Sequence, residues 1–204
     1  MKETIKNALI LFVITLVAGA LLGIVYEVTK EPIRVQKALA EQKANQDAYP
    51  EATEFKDFSG FDAAETAALL AGDPNFSRVS IDGVKVAEKN GTPDGYAIQI
   101  TSMGYGDNIT WTLGLTNDGL VNGISIISIN ETPGLGMNAN KVLVPQFDDV
   151  DIPDDLTFDV TKTADNVPET VDAISGATIT TTAITNGVNA GLLYYDTYLK
   201  GGAQ

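Results

Sequence analysis

The sequence contains no cysteine and no histidine. Without cysteine there are no disulfides, thiol nucleophiles, thiolate-held iron-sulfur clusters or thioether-linked haem. Without histidine the usual general base, the commonest metal ligand and the usual haem ligand are missing as well. A chain of this composition that moves electrons needs an organic cofactor. Carboxylate-only sites for Ca²⁺ or Mg²⁺ need Asp, Asn and Glu at loop spacing, and the sequence has no such run. Positive charge is also scarce. The net charge is -14, and residues 53–204 hold seven Lys or Arg against twenty-one Asp or Glu, whereas residues 1–52 hold six of each. That balance argues against nucleic acid as a partner, since phosphate backbones are bound by basic surface.

What is present begins with a long apolar run. Residues 8–26 are apolar except for Thr15, and roughly 19 residues at about 1.5 Å each span a hydrocarbon core of ~30 Å. The run predicts a transmembrane helix in a lipid bilayer. Ala18, Gly19, Ala20 and Gly23 are small enough for close packing against other membrane helices. Ala18-Gly19-Ala20 after Lys2 and Lys6 also has the form of a signal-peptide cleavage site, but the apolar run continues past it at anchor length. Lys2 and Lys6 precede the span while Lys30, Arg34 and Lys37 follow it, so flanking charge alone does not orient it. Three segments are expected: residues 1–26 as a tail and membrane helix, 27–52 as a helical stalk or linker, and 53–204 as a folded domain.

In that domain residues 63–71 suggest a short helix. Residues 78–81 and 84–87, around Asp82-Gly83, have the form of a hairpin. Residues 96–101, 109–116 and 120–128 read as strands, the last two separated by a turn at Asn117-Asp118-Gly119, and residues 156–161 as another. Near the C-terminus Ile184, Val188, Leu192, Tyr195 and Leu199 recur at helical spacing. Strands in the middle and helices at the ends predict an α+β fold with a mainly antiparallel sheet.

Four stretches are candidates for chemistry. Ser175-Gly176-Ala177-Thr178 opens the C-terminal helix, with Ser175 read as its N-cap and a cluster of hydroxyls on its first turn, where free amides and the helix dipole favour a phosphate. Glu131-Thr132-Pro133-Gly134-Leu135-Gly136 leaves an Ile-rich strand, and its glycines let backbone approach a flat ligand while Leu135 offers an apolar face. Met103-Gly104-Tyr105-Gly106-Asp107 is a second glycine-rich junction. Lys141 and Lys162 are cations able to balance a phosphate or a reduced flavin. Taken one at a time, each also reads as an ordinary cap, connection or solvated side chain.

In order, Gly104-Tyr105-Gly106, Gly114, Gly119, Gly123-Ile124, residues 131–136 and residues 172–181 resemble the motifs of the FMN-binding domain family. The layout of membrane helix, stalk and terminal motif helix is similar to that of the G subunits of Rnf-type ion-translocating ferredoxin:NAD⁺ oxidoreductase complexes. The C subunit of the sodium-pumping NADH:quinone oxidoreductase is a related member. The resemblance implies covalent FMN, joined through its phosphate to the last Thr of the Ser-Gly-Ala-Thr motif, here Thr178, by a separate flavin transferase. It implies noncovalent contacts from Ser175, Gly176, Ala177, Glu131, Thr132, Gly134, Leu135 and Gly136, with Lys162 added to the candidate cofactor-binding set as a cation. It also implies other membrane subunits as partners, an extracytoplasmic domain, and electron relay between neighbouring redox centres. No nicotinamide or ferredoxin site is visible, so those reactions fall to other subunits. A free-standing flavinylated surface shuttle and a non-redox membrane-anchored binding module are the alternatives.

Overall fold

The computed structural model describes residues 1–162 and 169–201. Helix α1 runs from Lys2–Ala48 without interruption at Pro32. The chain divides into two compact units, Met1–Ala40 and Glu41–Gln204, so the last turns of α1 belong to the folded unit. In the first unit α1 is long and apolar enough to cross a membrane. Its Leu9, Phe12, Leu22 and Ile24 are exposed, as a lipid-facing helix requires.

The second unit is built on a six-stranded antiparallel sheet in sequential order: β1 (Glu54–Asp57), β2 (Val79–Lys89), β3 (Thr92–Met103), β4 (Asn108–Thr116), β5 (Leu120–Ser128) and β6 (Val150–Asp151). Helix α2 (Ala63–Leu70) precedes β2 and is N-capped by Asp62, whose carboxylate accepts from the amides of Ala64 and Glu65. The short helix α3 (Ala139–Val142) follows β5. β7 (Asp159–Thr161) and β8 (Thr170–Asp172) form a separate parallel pair. The last helix is α4 (Thr178–Tyr194), which ends in a π-helical turn, Tyr195–Leu199.

The core follows from strand alternation. Tyr96, Ile98 and Ile100 on β3 lie directly across from Leu115, Leu113 and Trp111 on β4. Their side chains therefore share one face of the sheet, and all six are buried. α4 lies on this face with the predicted stripe turned inward, since Ile184, Val188, Leu192, Tyr195 and Leu199 are all at most 3% exposed. Gly187 and Gly191 permit the close approach. A Cβ on Gly187 would stand 2.6 Å from Ser102 Oγ and from Trp111 Cζ2, and one on Gly191 would stand 2.6 Å from Leu113 Cδ2. The opposite face is covered by the end of α1. Asn45 Oδ1 accepts from Thr112 Oγ1 at 3.1 Å, and a Cβ on Gly114 would collide with the carbonyl of Ala48.

Two local readings of the sequence are corrected. Asp82-Gly83 is not a hairpin turn. β2 runs straight through it with a bulge between Ile81 and Gly83, and the Asp82 carboxylate accepts from Ser80 Oγ and Thr101 Oγ1. The hairpin lies at Asn90-Gly91, whose φ values of 56° and 82° are those of a two-residue type I′ turn. In the stretch 156–161 only Asp159–Thr161 is strand, and Leu156 has φ 60°.

Burial of aromatic hydroxyls gives the domain a pH limit. Tyr49, Tyr96, Tyr194 and Tyr195 are at most 3% exposed, and burial pushes all four phenols above their ordinary range. The Tyr49 hydroxyl also donates to the Asp94 carboxylate at 2.9 Å, which raises it further. Unfolded tyrosines ionise near pH ~10 while the folded domain holds these neutral, so their contribution is intact below that pH and lost as pH rises above it. The urea midpoint is therefore expected to be flat between about pH 8 and about pH 9 and to fall steeply by about pH 11. Tyr49→Phe is expected to make the alkaline fall shallower.

Candidate functional site

The segment before α4 is held by side chains acting as backbone substitutes. Gln146 accepts from the amide of Asp172 at 2.7 Å and donates to its carbonyl at 3.1 Å. The Ala173 amide donates to the Thr161 carbonyl. Beyond it the chain turns through Gly176, at φ 78°, a conformation in which a Cβ would be strained and would stand 3.0 Å from Leu135 Cδ2. α4 then begins at Thr178, with Ala177 as its N-cap and no side-chain cap.

This corrects the reading of Ser175, which lies three residues before the first helical residue and does not cap it. Thr181 ties the turn to the helix instead. Its hydroxyl accepts from the Ile174 amide at 3.1 Å and lies 3.1 Å from the Ala177 carbonyl, which also takes the Thr181 amide.

Glu131 draws three distant segments together. It is 6% exposed. Its Oε1 accepts from the Gly106 amide at 3.0 Å, in the β3–β4 loop, and its Oε2 accepts from Thr180 Oγ1 at 2.8 Å, in the first turn of α4. Gly136 closes over the same carboxylate, and a Cβ there would be 2.7 Å from both Glu131 Cβ and Thr180 Oγ1. The loop between them is pinned by Leu135 and Met137 amides on the Thr132 carbonyl and by Asn138 Nδ2 on the Gly134 carbonyl. Glu131→Ala strands the Gly106 amide and the buried Thr180 hydroxyl. It is expected to cost about 2–3 kcal/mol in urea unfolding and to loosen the approach of all three segments.

Between these segments lies a cleft of 550 Å³ lined by Tyr105, Glu131, Thr132, Leu135, Gly136 and the start of α4 from Gly176 to Thr180. Seven of the ten residues singled out in the sequence line it: Glu131, Thr132, Leu135, Gly136, Gly176, Ala177 and Thr178. Ser175 and Gly134 are exposed and do not line it, and neither does Lys162, also exposed. Lys141, on α3, is likewise outside. A second cleft of 330 Å³ shares Thr178 and Ile179 and is lined on its other side by Asn75, Arg78 and Met103.

The hydroxyls of the first turn differ in their surroundings. Thr180 and Thr181 are buried and hydrogen-bonded. Thr178 is exposed and makes no side-chain hydrogen bond among the described residues. Exposed apolar side chains gather beside it: Tyr105 is 70% exposed, Ile179 51%, Met103 46% and Leu135 38%. Sequence reasoning missed Arg78, Ile179 and Thr180. Arg78 is about a hundred positions from the motif and only the fold brings it near. Thr180 was visible as one hydroxyl among several, with no sign of its bond to Glu131.

Residues 104–193 match the profile of the FMN-binding domain, and residues 1–46 match that of the RnfG N-terminal region. The chain is 31% identical over 200 residues to the G subunit of the Na⁺-translocating ferredoxin:NAD⁺ oxidoreductase complex of Acetobacterium woodii, covering 98% of this chain and 95% of that one. It is 37% identical over 142 residues to the G subunit of the proton-translocating ferredoxin:NAD⁺ oxidoreductase complex of Clostridium ljungdahlii, covering 67% and 74%. Among solved structures it resembles the C subunit of the Na⁺-translocating NADH-quinone reductase of Parabacteroides distasonis. The TM-score is 0.55 and the identity 18%, over 82% of this chain and 95% of that one. At that identity the likeness is one of fold.

Proposed function

The chain belongs to the family of G subunits of ion-translocating ferredoxin:NAD⁺ oxidoreductase complexes, and from that premise we propose that it carries FMN covalently on Thr178. It is an electron-transfer subunit of an ion-translocating oxidoreductase, relaying electrons between other subunits while the complex couples ferredoxin and NAD⁺ oxidoreduction to Na⁺ or H⁺ transport. It works from a membrane anchor at residues 1–26, followed by a helical stalk whose last turns, from Glu41, already belong to the folded unit, with that unit on the extracytoplasmic side. A separate flavin transferase makes the attachment.

One observation carries the covalent reading: of the hydroxyls on the first turn of α4 that line the cleft assembled by Glu131, Thr178 is exposed and makes no hydrogen bond among the described residues, whereas Thr180 is buried and bonded. The residues present fit the group. The cleft volume is within the range of small-ligand sites, about 300–1,000 Å³. Tyr105 and Leu135 offer apolar surface to a flat ring, and Gly136 and Gly176 keep backbone close to it. FMN bound here supplies one- and two-electron redox chemistry that no side chain of this sequence offers.

The protein's own residues then have three tasks. Thr178 Oγ1 would hold the ester, made by the transferase, that keeps the cofactor from diffusing away. The first-turn amides of α4, which no side chain caps, would be available to hold the phosphate. Glu131 fixes the loop and the helix start so that ring and phosphate sites stay in register.

The test is expression of the full chain with and without the flavin transferase, followed by denaturing electrophoresis under ultraviolet light. A fluorescent polypeptide only when the transferase is present supports the reading. A wild-type chain that is never labelled sinks it in favour of a non-redox module. Copurification with the other membrane subunits separates a member of the complex from a free-standing shuttle.

A further inference from the structure

Arg78 is the only arginine beyond residue 52. It follows the short helical turn Pro74–Phe76 and lines the 330 Å³ cleft whose other wall is α4 at Thr178, Thr182 and Asn186. That turn is fastened through the backbone of its middle residue, Asn75. Asp73 caps it through the Asn75 amide, and Asn186 Nδ2 donates to the Asn75 carbonyl at 3.1 Å. The backbone that delivers Arg78 is therefore tied directly to the helix that carries Thr178.

Of the seven basic residues beyond residue 52, Arg78, Lys141 and Lys162 make no ion pair among the described residues, and of these three it is Arg78 that shares a cleft with Thr178. Lys56, Lys85, Lys89 and Lys200 are each paired with a carboxylate. Arg78 makes no ion pair and no side-chain hydrogen bond among the described residues. Where acids outnumber bases three to one, it is a guanidinium without a protein counter-charge, in the same cleft as the exposed threonine. A guanidinium presents paired N–H donors at the spacing of two phosphate oxygens, which an ammonium does not.

We propose that Arg78 is a phosphate-binding residue whose guanidinium takes the two non-bridging oxygens of the phosphodiester carried on Thr178. The phosphate then lies on the Arg78 side of the α4 start, and the ring on the Tyr105 and Leu135 side. This rests on attachment at Thr178. Its consequence is a neutralised phosphate inside a strongly acidic domain, with the cofactor held at a second point besides the ester.

The test uses the full chain with Arg78→Gln and Arg78→Lys, each expressed with the flavin transferase. The loaded fraction is followed by intact mass, and the ³¹P resonance of the phosphodiester is recorded on loaded protein over a range of salt. Arg78→Gln is expected to load about three- to tenfold more slowly at low salt. Its ³¹P resonance should shift and lose its salt dependence, while the thermal midpoint stays put because Arg78 is exposed. Arg78→Lys is expected to recover part of both effects. Loading at the wild-type rate with an unmoved ³¹P resonance in Arg78→Gln overturns the inference and leaves attachment at Thr178 standing. A wild type that gains no FMN mass overturns both.

Discussion

Thr178→Val is expected to abolish covalent flavin while leaving the domain folded. Valine has the shape of threonine without the hydroxyl. At an exposed side chain with no hydrogen bond among the described residues, it should change stability by no more than about 0.5 kcal/mol. In-gel fluorescence should fall to background with an unchanged urea midpoint. Thr180→Val should behave in the opposite way. It removes the donor to Glu131 Oε2 in a buried site, costing about 1–3 kcal/mol, yet it keeps the attachment hydroxyl and should remain fluorescent. The pair of variants separates chemistry from support within three residues of one helix turn. Fluorescence retained in Thr178→Val would move the ester to another hydroxyl, of which Ser175 is exposed and Thr182 half-buried.

The second large effect is expected at Gly187. On helix propensity alone, Gly→Ala in mid-helix stabilises by about 1 kcal/mol. Here the added Cβ would stand 2.6 Å from Ser102 Oγ and from Trp111 Cζ2, both on fully buried side chains. The sign therefore reverses. Gly187→Ala is expected to destabilise by about 1–2 kcal/mol, and Gly187→Leu by more than about 3 kcal/mol, with α4 lifted from the sheet. Because α4 carries Thr178 at its first position, Gly187→Leu should also impair flavin loading, although it touches no residue of the cleft. Urea unfolding of purified protein measures the first effect, and the fluorescence of the matched gel band the second.

Thr178 and Gly187 lie on the same helix, yet only one of them is legible in the sequence. Alternation in β4 and the 184, 188, 192, 195, 199 stripe are readable because burial imposes a period on the chain, and that period survives in the residue types. The glycines at 187 and 191 do not read as contact points. Their role depends on Trp111 and Leu113, more than seventy positions away, and no local pattern carries it. Gly114 is similar: its missing side chain makes room for the carbonyl of Ala48, a contact between the end of α1 and the middle of the sheet.

Turn chemistry is legible in kind and misassigned in place. Asp82-Gly83 and Asn90-Gly91 are both good turn pairs, and only the second reverses the chain. The first is absorbed as a bulge because apolar alternation resumes at Val84, and the paired strand continues to Lys89. Ser175 misleads for a related reason. It is a good capping residue, but Gly176 at positive φ places the helix start two residues later than a Ser175 cap would, and Thr181 takes over the hydrogen bonding. At the site itself the loop 131–136 and the turn 176–178 are both visible as separate stretches. Their union through the Glu131 carboxylate requires the fold.

The central claim is a bond from one oxygen atom. Proteolysis of the full chain expressed with its flavin transferase, followed by fragment-ion mass measurement of the peptide spanning residues 172–182, locates any added mass. The predicted result is a gain of one FMN less one water, retained on fragments that contain Thr178 and absent from those that begin after it. The same gain on Thr180, Thr181 or Thr182, or a peptide of unmodified mass from protein that binds flavin, would contradict the account.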